Sequence, residues 1–412
     1  GQFKTAGDFY QRAESAAVEG GLLGSQMHGA ILGALATCLL QQERYQEVRP
    51  PLERALDILR RSDEHGPDYG KALSTQSALL YRTGHFGVAE LRARQALVLL
   101  LDNPADEPYT MATLNTLAVA LDELGNPSEA AIQLNRAVEI GRKNPRLLRL
   151  NLAEALDNLA STEEVLGQLP SARQHDLEAL QLAEAGFNET SSIRANILNN
   201  LGLIALAQKD PAKAELYCRR AAELWEKSLG TNSSQYAAAL SSLAAIQRAQ
   251  RQYRLAYQMD SVARSINESL FGVDHPSSAR CLVNQGLDLF GMKKLDAALN
   301  ALEQAERVQE QSIGRNALAT VFTLRNTAVI LDQLKRYGEA SDTYARAIRA
   351  LSVRAPGPFD TTLCRWIREQ AEALRKGGRF GEAEMAEVQA TRIEVQSALH
   401  PASDIAAATG GR

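Results

Sequence analysis

Cysteine, aromatic residues, glycine and proline are all scarce in this chain of 412 residues, and each shortage excludes something. The four cysteines, Cys38, Cys218, Cys281 and Cys364, stand far apart with no paired spacing. They cannot frame a disulfide scaffold or a zinc site, and they read as small buried hydrophobes. Aromatic residues make up 5%, and no stretch approaches about 18 uninterrupted apolar residues, so no membrane insertion is expected. A net charge of -4 leaves no bulk excess to draw nucleic acid or an anionic bilayer. No secretory leader pattern is visible, which favours a cytoplasmic setting. Of the histidines, His28, His65, His85, His175, His275 and His400, none has a His or Cys at ligand spacing on one helix. His275 and His400 precede proline, where a capping or turn role is expected. The glycine-rich VEGGLLGS (18–25) lacks the Lys-Ser/Thr ending of a phosphate loop. No catalytic residue, metal site or cofactor is therefore expected, and the chain does not read as an enzyme.

What remains is alanine, leucine and solvated charge, a helix-forming mixture that is 45% hydrophobic. It is also periodic. A small residue stands at Ala6, Val48, Ala89, Ala130, Ala172, Ala214, Ala256, Ala298, Ala340 and Ala383, at intervals of 41 to 43 residues. Seven residues after each of these anchors there is always alanine, from Ala13 to Ala390. Three before it there is often Tyr or Phe, as at Phe3, Tyr45, Phe86, Tyr253, Tyr337 and Phe380. Upstream, Leu114, Leu117, Ala118 and Leu121 keep the i, i+3, i+4, i+7 spacing of one helix face. Downstream, Ala214, Cys218 and Ala221 mark a second helix. The breaks LGNPSEA, LGQLPSA, QKDPAKA and KGGRFGEA are short and polar, so each repeat is a helical hairpin. One hairpin cannot bury both faces, and such units must stack and share a core. The opening GQFKTAGDFYQRA matches the interior phrase KRYGEASDTYARA (335–347), as though the chain starts inside a repeat. The expected organisation is a truncated second helix over 1–20, nine tandem hairpins forming one continuous domain over 21–400, and a frayed tail over 401–412.

The pattern resembles the tetratricopeptide repeat in its 42-residue, kinesin-light-chain-like variety. The likeness is clearest in ILNNLGLIALAQKDPAKAELYCRRAAELWEKSLG (197–230) and in the linker LFGVDHP (270–276). The resemblance implies an all-α fold, an α-solenoid of stacked antiparallel hairpins coiled into a right-handed superhelix. It also implies a scaffold that binds a protein or peptide in its concave groove. A self-assembly module, stacking chain on chain through terminal hairpins, is the alternative. Some copies depart from the pattern. Glu163 and Gln247 replace an apolar residue on the first helix, and Asp176, Asp260 and Glu387 replace a bulky one on the second.

With the anchor counted as position 20, positions 4, 7, 8 and 11 form the core stripe. Positions 2, 5, 6, 9, 12 and 13 then point away from it, into the groove. Asn158, Asn200, Asn284 and Asn326 recur at position 6, with Asn115 and Asn199 at position 5. Amides donate and accept, so such a ladder suits the backbone of an extended peptide. Acidic groove residues gather early, at Asp122, Glu123, Glu154, Asp157 and Glu164. Basic ones gather late, at Arg248, Arg280, Arg325, Arg365, Arg368, Arg375 and Lys376, against Asp332, Glu369 and Glu372. Leu203, Leu206, Val283, Leu287, Phe290, Phe322 and Val329 supply an apolar floor. The expected site is Asn158, Asn199, Asn200, Leu203, Arg280, Asn284, Leu287, Phe290, Phe322, Arg325 and Asn326, and the expected partner an acidic segment with apolar anchors.

Overall fold

The computed structural model describes residues 2–42, 44–101, 104–146, 148–185, 192–353 and 360–399. The expected tail over 401–412 and the His400 turn lie outside them, as do the side chains of Phe3 and Ala6. Among the described residues there is no strand, only nineteen α-helices and one 3₁₀ turn. The chain forms two compact units, Gly1–Ile204 and Ala205–Arg412.

Unit 1 begins with α1 (Gln2–Glu19). Four hairpins follow: α2 and α3 (Gln26–Gln41, Tyr45–Asp63), α4 and α5 (Pro67–Arg82, Phe86–Leu100), α6 and α7 (Glu107–Glu123, Pro127–Lys143), α8 and α9 (Arg149–Val165, Leu169–Glu184). Helix α10 (Ser192–Ala207) runs to the end of the unit and just beyond it. Unit 2 holds α11 (Pro211–Leu229) and four more hairpins: α12 and α13 (Ser234–Ala249, Tyr253–Phe271), α14 and α15 (Pro276–Gly291, Leu295–Ser312), α16 and α17 (Leu318–Gln333, Tyr337–Ser352), α18 and α19 (Asp360–Lys376, Phe380–Leu399).

Second helices pack on the first helix that follows: α3 on α4, α5 on α6 and α7 on α8 in unit 1, and α11 on α12, α13 on α14, α15 on α16 and α17 on α18 in unit 2. The first helices α2, α4, α6 and α8 also touch in succession, and α12, α14 and α16 do the same in unit 2. First helices thus form one layer of each unit. The periodic small residues are what the packing rests on. Every anchor from Val48 to Ala340 is 0% exposed, as is every alanine seven residues further on from Ala55 to Ala390. A methyl at both places lets helix backbones approach closely, and interiors at crystal-like density leave little room for more. At Gly286, in the equivalent small position of α14, even a Cβ would come 2.8 Å from Leu302 Cδ2. All four cysteines are buried and unbridged, as their spacing implies, and burial pushes the Cys218 thiol up to about 12.

The breaks between helices share one geometry. The residue five before the anchor has a left-handed backbone in eight turns: glycine at Gly84, Gly125, Gly167 and Gly378, and Lys209, Arg251, Lys293 and Lys335 in the others. The next amide bonds back five residues, as from His85 to Leu80, Asn126 to Leu121, Lys294 to Leu289 and Arg336 to Leu331, at 2.8–2.9 Å. These bonds satisfy carbonyls that a helix end leaves open. A lysine at φ 61 has a Cβ crowded against its own carbonyl, which glycine lacks. Lys335→Gly should therefore raise stability by up to about 1 kcal/mol, the relief of strain exceeding the entropy that glycine adds to the unfolded chain. A urea midpoint that falls in this variant would contradict the assignment of strain. His275 fulfils its expected role, its Nδ1 accepting the Ser277 amide at 3.1 Å at the start of α14.

Candidate functional site

On unit 2, α14 presents Arg280, Asn284 and Leu287 at three- and four-residue steps, with Phe290 one turn further. Arg280 is exposed and makes no ion pair among the described residues. Leu287 and Phe290 are half-buried, and the Lys293 ammonium lies 5.7 Å from the Phe290 ring centre. On α16, Phe322 stands 39% exposed, edge-on to Trp366 with ring centres 5.1 Å apart. Phe322 is the most accessible ring of the expected floor, seated on one of the most deeply buried side chains in the unit.

The polar residues of this face do more within the protein than their spacing implies. Arg325 grips Glu369 of α18 with two bonds, Nε at 3.0 Å and Nη2 at 2.7 Å, and so is not an unengaged cation. Lys376 holds Asp332 at 2.9 Å. Arg375 and Arg368 bond Glu387 and Glu394 on α19. Arg248 of α12 reaches inward. Its Nη2 meets Asp260 Oδ2 on α13 at 2.8 Å, its Nε meets Asp288 Oδ1 on α14 at 2.7 Å, and it donates to the Asn284 carbonyl at 3.3 Å. The Asn284 amide completes this knot by donating to Asp260 Oδ1 at 3.1 Å. Both aspartates are 0% exposed, and burial pushes their carboxyls upward even with a guanidinium between them.

On unit 1, Asn200 of α10 donates to Asp157 Oδ1 of α8 at 2.9 Å. Asn158 is half-buried, Leu203 likewise, and Asn199 is only 8% exposed. Asn115, also at position 5, is 3% exposed. Position 5 is thus covered here, while position 6 stays at the surface. Asp122 of α6 accepts from the Thr162 hydroxyl of α8 at 2.6 Å, and burial pushes its carboxyl up to about 7. Glu163 accepts from Ser171 at 2.7 Å and pairs with His175 Nδ1 at 2.8 Å. That accounts for an acidic residue where the repeat pattern has an apolar one.

Two rungs recur between neighbouring repeats. Position 5 meets position 6 of the next repeat in Asp157–Asn200 and in Arg325–Glu369. Position 12 meets position 10 of the next in Asp122–Thr162 and Arg248–Asp288. Inspection of the sequence missed the buried carboxylate Asp288 and saw Asp260 only as a departure from the repeat pattern. A signal was present: an arginine stands twelve residues before the acid at position 24 in both Arg248–Asp260 and Arg375–Glu387. Among the described residues no group of three or more His, Cys, Asp or Glu is arranged to hold a metal ion, and no helix is long and apolar enough to cross a membrane.

Residues 151–217, 194–260 and 285–352 match the family model of the tetratricopeptide repeat. Among curated proteins, the chain is 24% identical over 203 residues to a clustered mitochondria protein homolog of Candida albicans. That match takes in 46% of this chain and spans 15% of the relative's length. Among solved structures, a Rap protein complexed with Competence and Sporulation Factor is similar with a TM-score of 0.54 and 14% identity, over 80% of this chain and 98% of that one. A kinesin light chain of Podosopora anserina with nearly identical TPR-like repeats has a TM-score of 0.40 and 14% identity, over 51% of this chain and 99% of that one. At these identities the Rap likeness speaks to fold alone.

Proposed function

We propose that the chain, whose repeats match the tetratricopeptide family, is a protein-interaction scaffold and that the first-helix face of unit 2 binds an extended acidic segment with apolar side chains. The observation that carries this reading is the exposed Arg280 beside half-buried Leu287 and Phe290 on α14, with the exposed Phe322 on α16. An apolar floor and an uncommitted guanidinium suit a peptide that offers both a hydrophobic anchor and a carboxylate. Asn284 and Asn326 each keep amide groups for a peptide backbone, although Asn284 already gives one N–H to Asp260. Asn158, Asn199, Asn200 and Leu203 belong to unit 1 and are not needed for this contact.

Peptides selected from a displayed random library on the whole chain should be acidic and apolar. Replacing Arg280 and Arg325 together by alanine should weaken their binding by several kcal/mol at most, since charged hydrogen bonds contribute roughly 1.5–3 each. Arg280 should carry the larger part, because Arg325 must share its guanidinium with Glu369. The loss should shrink as salt rises, because screening already weakens the wild-type contact. Unchanged affinity in this double variant, together with loss of binding on substituting the second helix α17, would refute the proposal.

A further inference from the structure

The fourth and sixth repeats lie 84 residues apart in register, and matching polar positions appear in both with two differences, an aspartate for a serine and a glutamate for an arginine. In the sixth, Ser241, Arg248 and Asp260 stand with Asn284 of the following repeat, and Arg248 bonds the fully buried Asp260 at 2.8 Å. In the fourth, the matching residues are Asp157, Glu164, Asp176 and Asn200. The acid at position 24 is kept and is again 0% exposed, but the arginine that answers it has become Glu164. Neither carboxylate oxygen of Asp176 has a hydrogen-bond donor other than the neighbouring Asp157 carboxyl when one of the two is protonated. Its neighbour is the carboxyl of Asp157, itself held by Asn200.

We propose that this place on the first-helix face of unit 1 is a receptor for a guanidinium, filled by an arginine side chain of a bound polypeptide as Arg248 fills the matching place in unit 2. Arg248 shows that a guanidinium from the groove surface reaches the position-24 carboxylate of its own repeat. Glu164, half-buried where Arg248 starts, lies at the mouth of that path. Nearby cations are engaged elsewhere. Arg149 donates to the Ala185 carbonyl, Arg194 pairs with Glu184 and Arg142 with Glu178. The charges that act most strongly on Asp157 and Asp176 are carboxyls, Glu154, Glu163 and Glu164, while Arg82 acts on Glu154. Burial raises the Asp176 carboxyl well above its ordinary value and pushes that of Asp157 up to about 7, so a cation arriving beside them favours release of a proton. The proposal does not depend on the reading of unit 2, since every residue in it belongs to unit 1.

The test uses the whole chain and a pentapeptide, acetyl-Ala-Ala-Arg-Ala-Ala-amide, beside its citrulline twin, which keeps the shape and lacks the charge. By calorimetry at neutral pH the arginine peptide should bind at least about tenfold more tightly than the citrulline one, as expected for a charged hydrogen-bonded contact. Repeating the titration in buffers of different ionisation heat should show a proton released on binding. Glu164→Arg should place the missing cation within the chain, raise the unfolding midpoint and abolish binding. Asp176→Asn should weaken binding by about tenfold. Should that variant not fold, Glu164→Gln tests the same place and should weaken binding too. Equal binding of the two peptides, no detectable binding at millimolar concentration, or arginine binding that survives Glu164→Arg would each overturn the proposal. A lowered midpoint in Glu164→Arg would do so as well. Arg280→Ala should leave this binding unchanged, which separates the two sites.

Discussion

Arg248→Ala should lower the unfolding free energy by about 3–5 kcal/mol at pH 8, the largest effect expected of any single substitution on the first-helix face. The substitution removes one guanidinium and leaves Asp260 and Asp288, both 0% exposed, facing each other without a cation. Taking a charge out of water without a partner costs several kcal/mol, far more than the net worth of the pair that held it. The comparison that isolates this mechanism is Arg336→Ala. Arg336 also bonds a carboxylate closely, Glu339 at 2.6 Å, but on the open surface. Its loss should change stability far less, since water screens an exposed pair. A second comparison restores balance: Arg248→Ala with Asp260→Asn and Asp288→Asn should recover much of the loss. Urea unfolding followed by helix circular dichroism reads all three. An Arg248→Ala midpoint no lower than that of Arg336→Ala would show that the buried knot is not formed.

Stability of the wild-type chain should fall as pH rises from about 4 to about 7. Most proteins do the reverse over part of this range, because their carboxylates gain partners on folding. Here the buried carboxyls lose more water than they gain in partners. Asp122, half-buried, is pushed up to about 7 by burial from an ordinary value of 3.8. Below 3.8 the carboxyl is protonated in both states and pH has no effect. Between 3.8 and about 7 the folded state holds a proton that the unfolded state has lost, so raising the pH favours unfolding. Above that range the penalty is complete. For one such group it is on the order of 2–4 kcal/mol, the lower figure allowing for partial exposure. Asp176 and Asp260 shift in the same direction, again through burial first. The exposed Glu47, Glu339 and Glu382 are lowered by arginine hydrogen bonds and act oppositely, losing their small contribution as pH falls below 4.5. The expected profile therefore peaks near the foot of the window. Unfolding midpoints across that range should locate it, and a midpoint that rises steadily to pH 7 would contradict the burial of these carboxyls.

The parts of the molecule that depend on one repeat at a time were legible in the sequence. The anchor at Ala256 and the alanine at Ala263 can be found by counting, because close helix approach tolerates little else there. The turn could be placed for the same reason, although Lys209, Arg251, Lys293 and Lys335 hide its left-handed residue behind side chains that seldom adopt that backbone. Contacts between repeats were harder. Arg325 looks uncommitted on a single helix wheel, and its partner Glu369 lies 44 residues away on the neighbouring first helix. Asn199 sits at an angle that points to the groove, yet is nearly buried, because a helix wheel takes no account of what packs alongside. Asp260 reads as a packing fault when seen alone, and as one corner of a charge knot once Arg248 and Asp288 are placed around it. The apolar floor of Leu287, Phe290 and Phe322 needed only the helical period, and the structure leaves all three at least partly open to solvent.

That a partner lies along the first helices of unit 2 is tested most directly by hydroxyl-radical footprinting of the whole chain, with and without a selected acidic-apolar peptide. Oxidation reports side-chain access residue by residue, and both faces offer reporters: Phe290 and Phe322 on the first helices, Leu255 and Val262 on the second helix α13. The account predicts that bound peptide slows oxidation of Phe290 and Phe322 and leaves Leu255 and Val262 as they were. Unchanged oxidation of Phe322 in the saturated complex, with protection appearing at Leu255 and Val262, would contradict it.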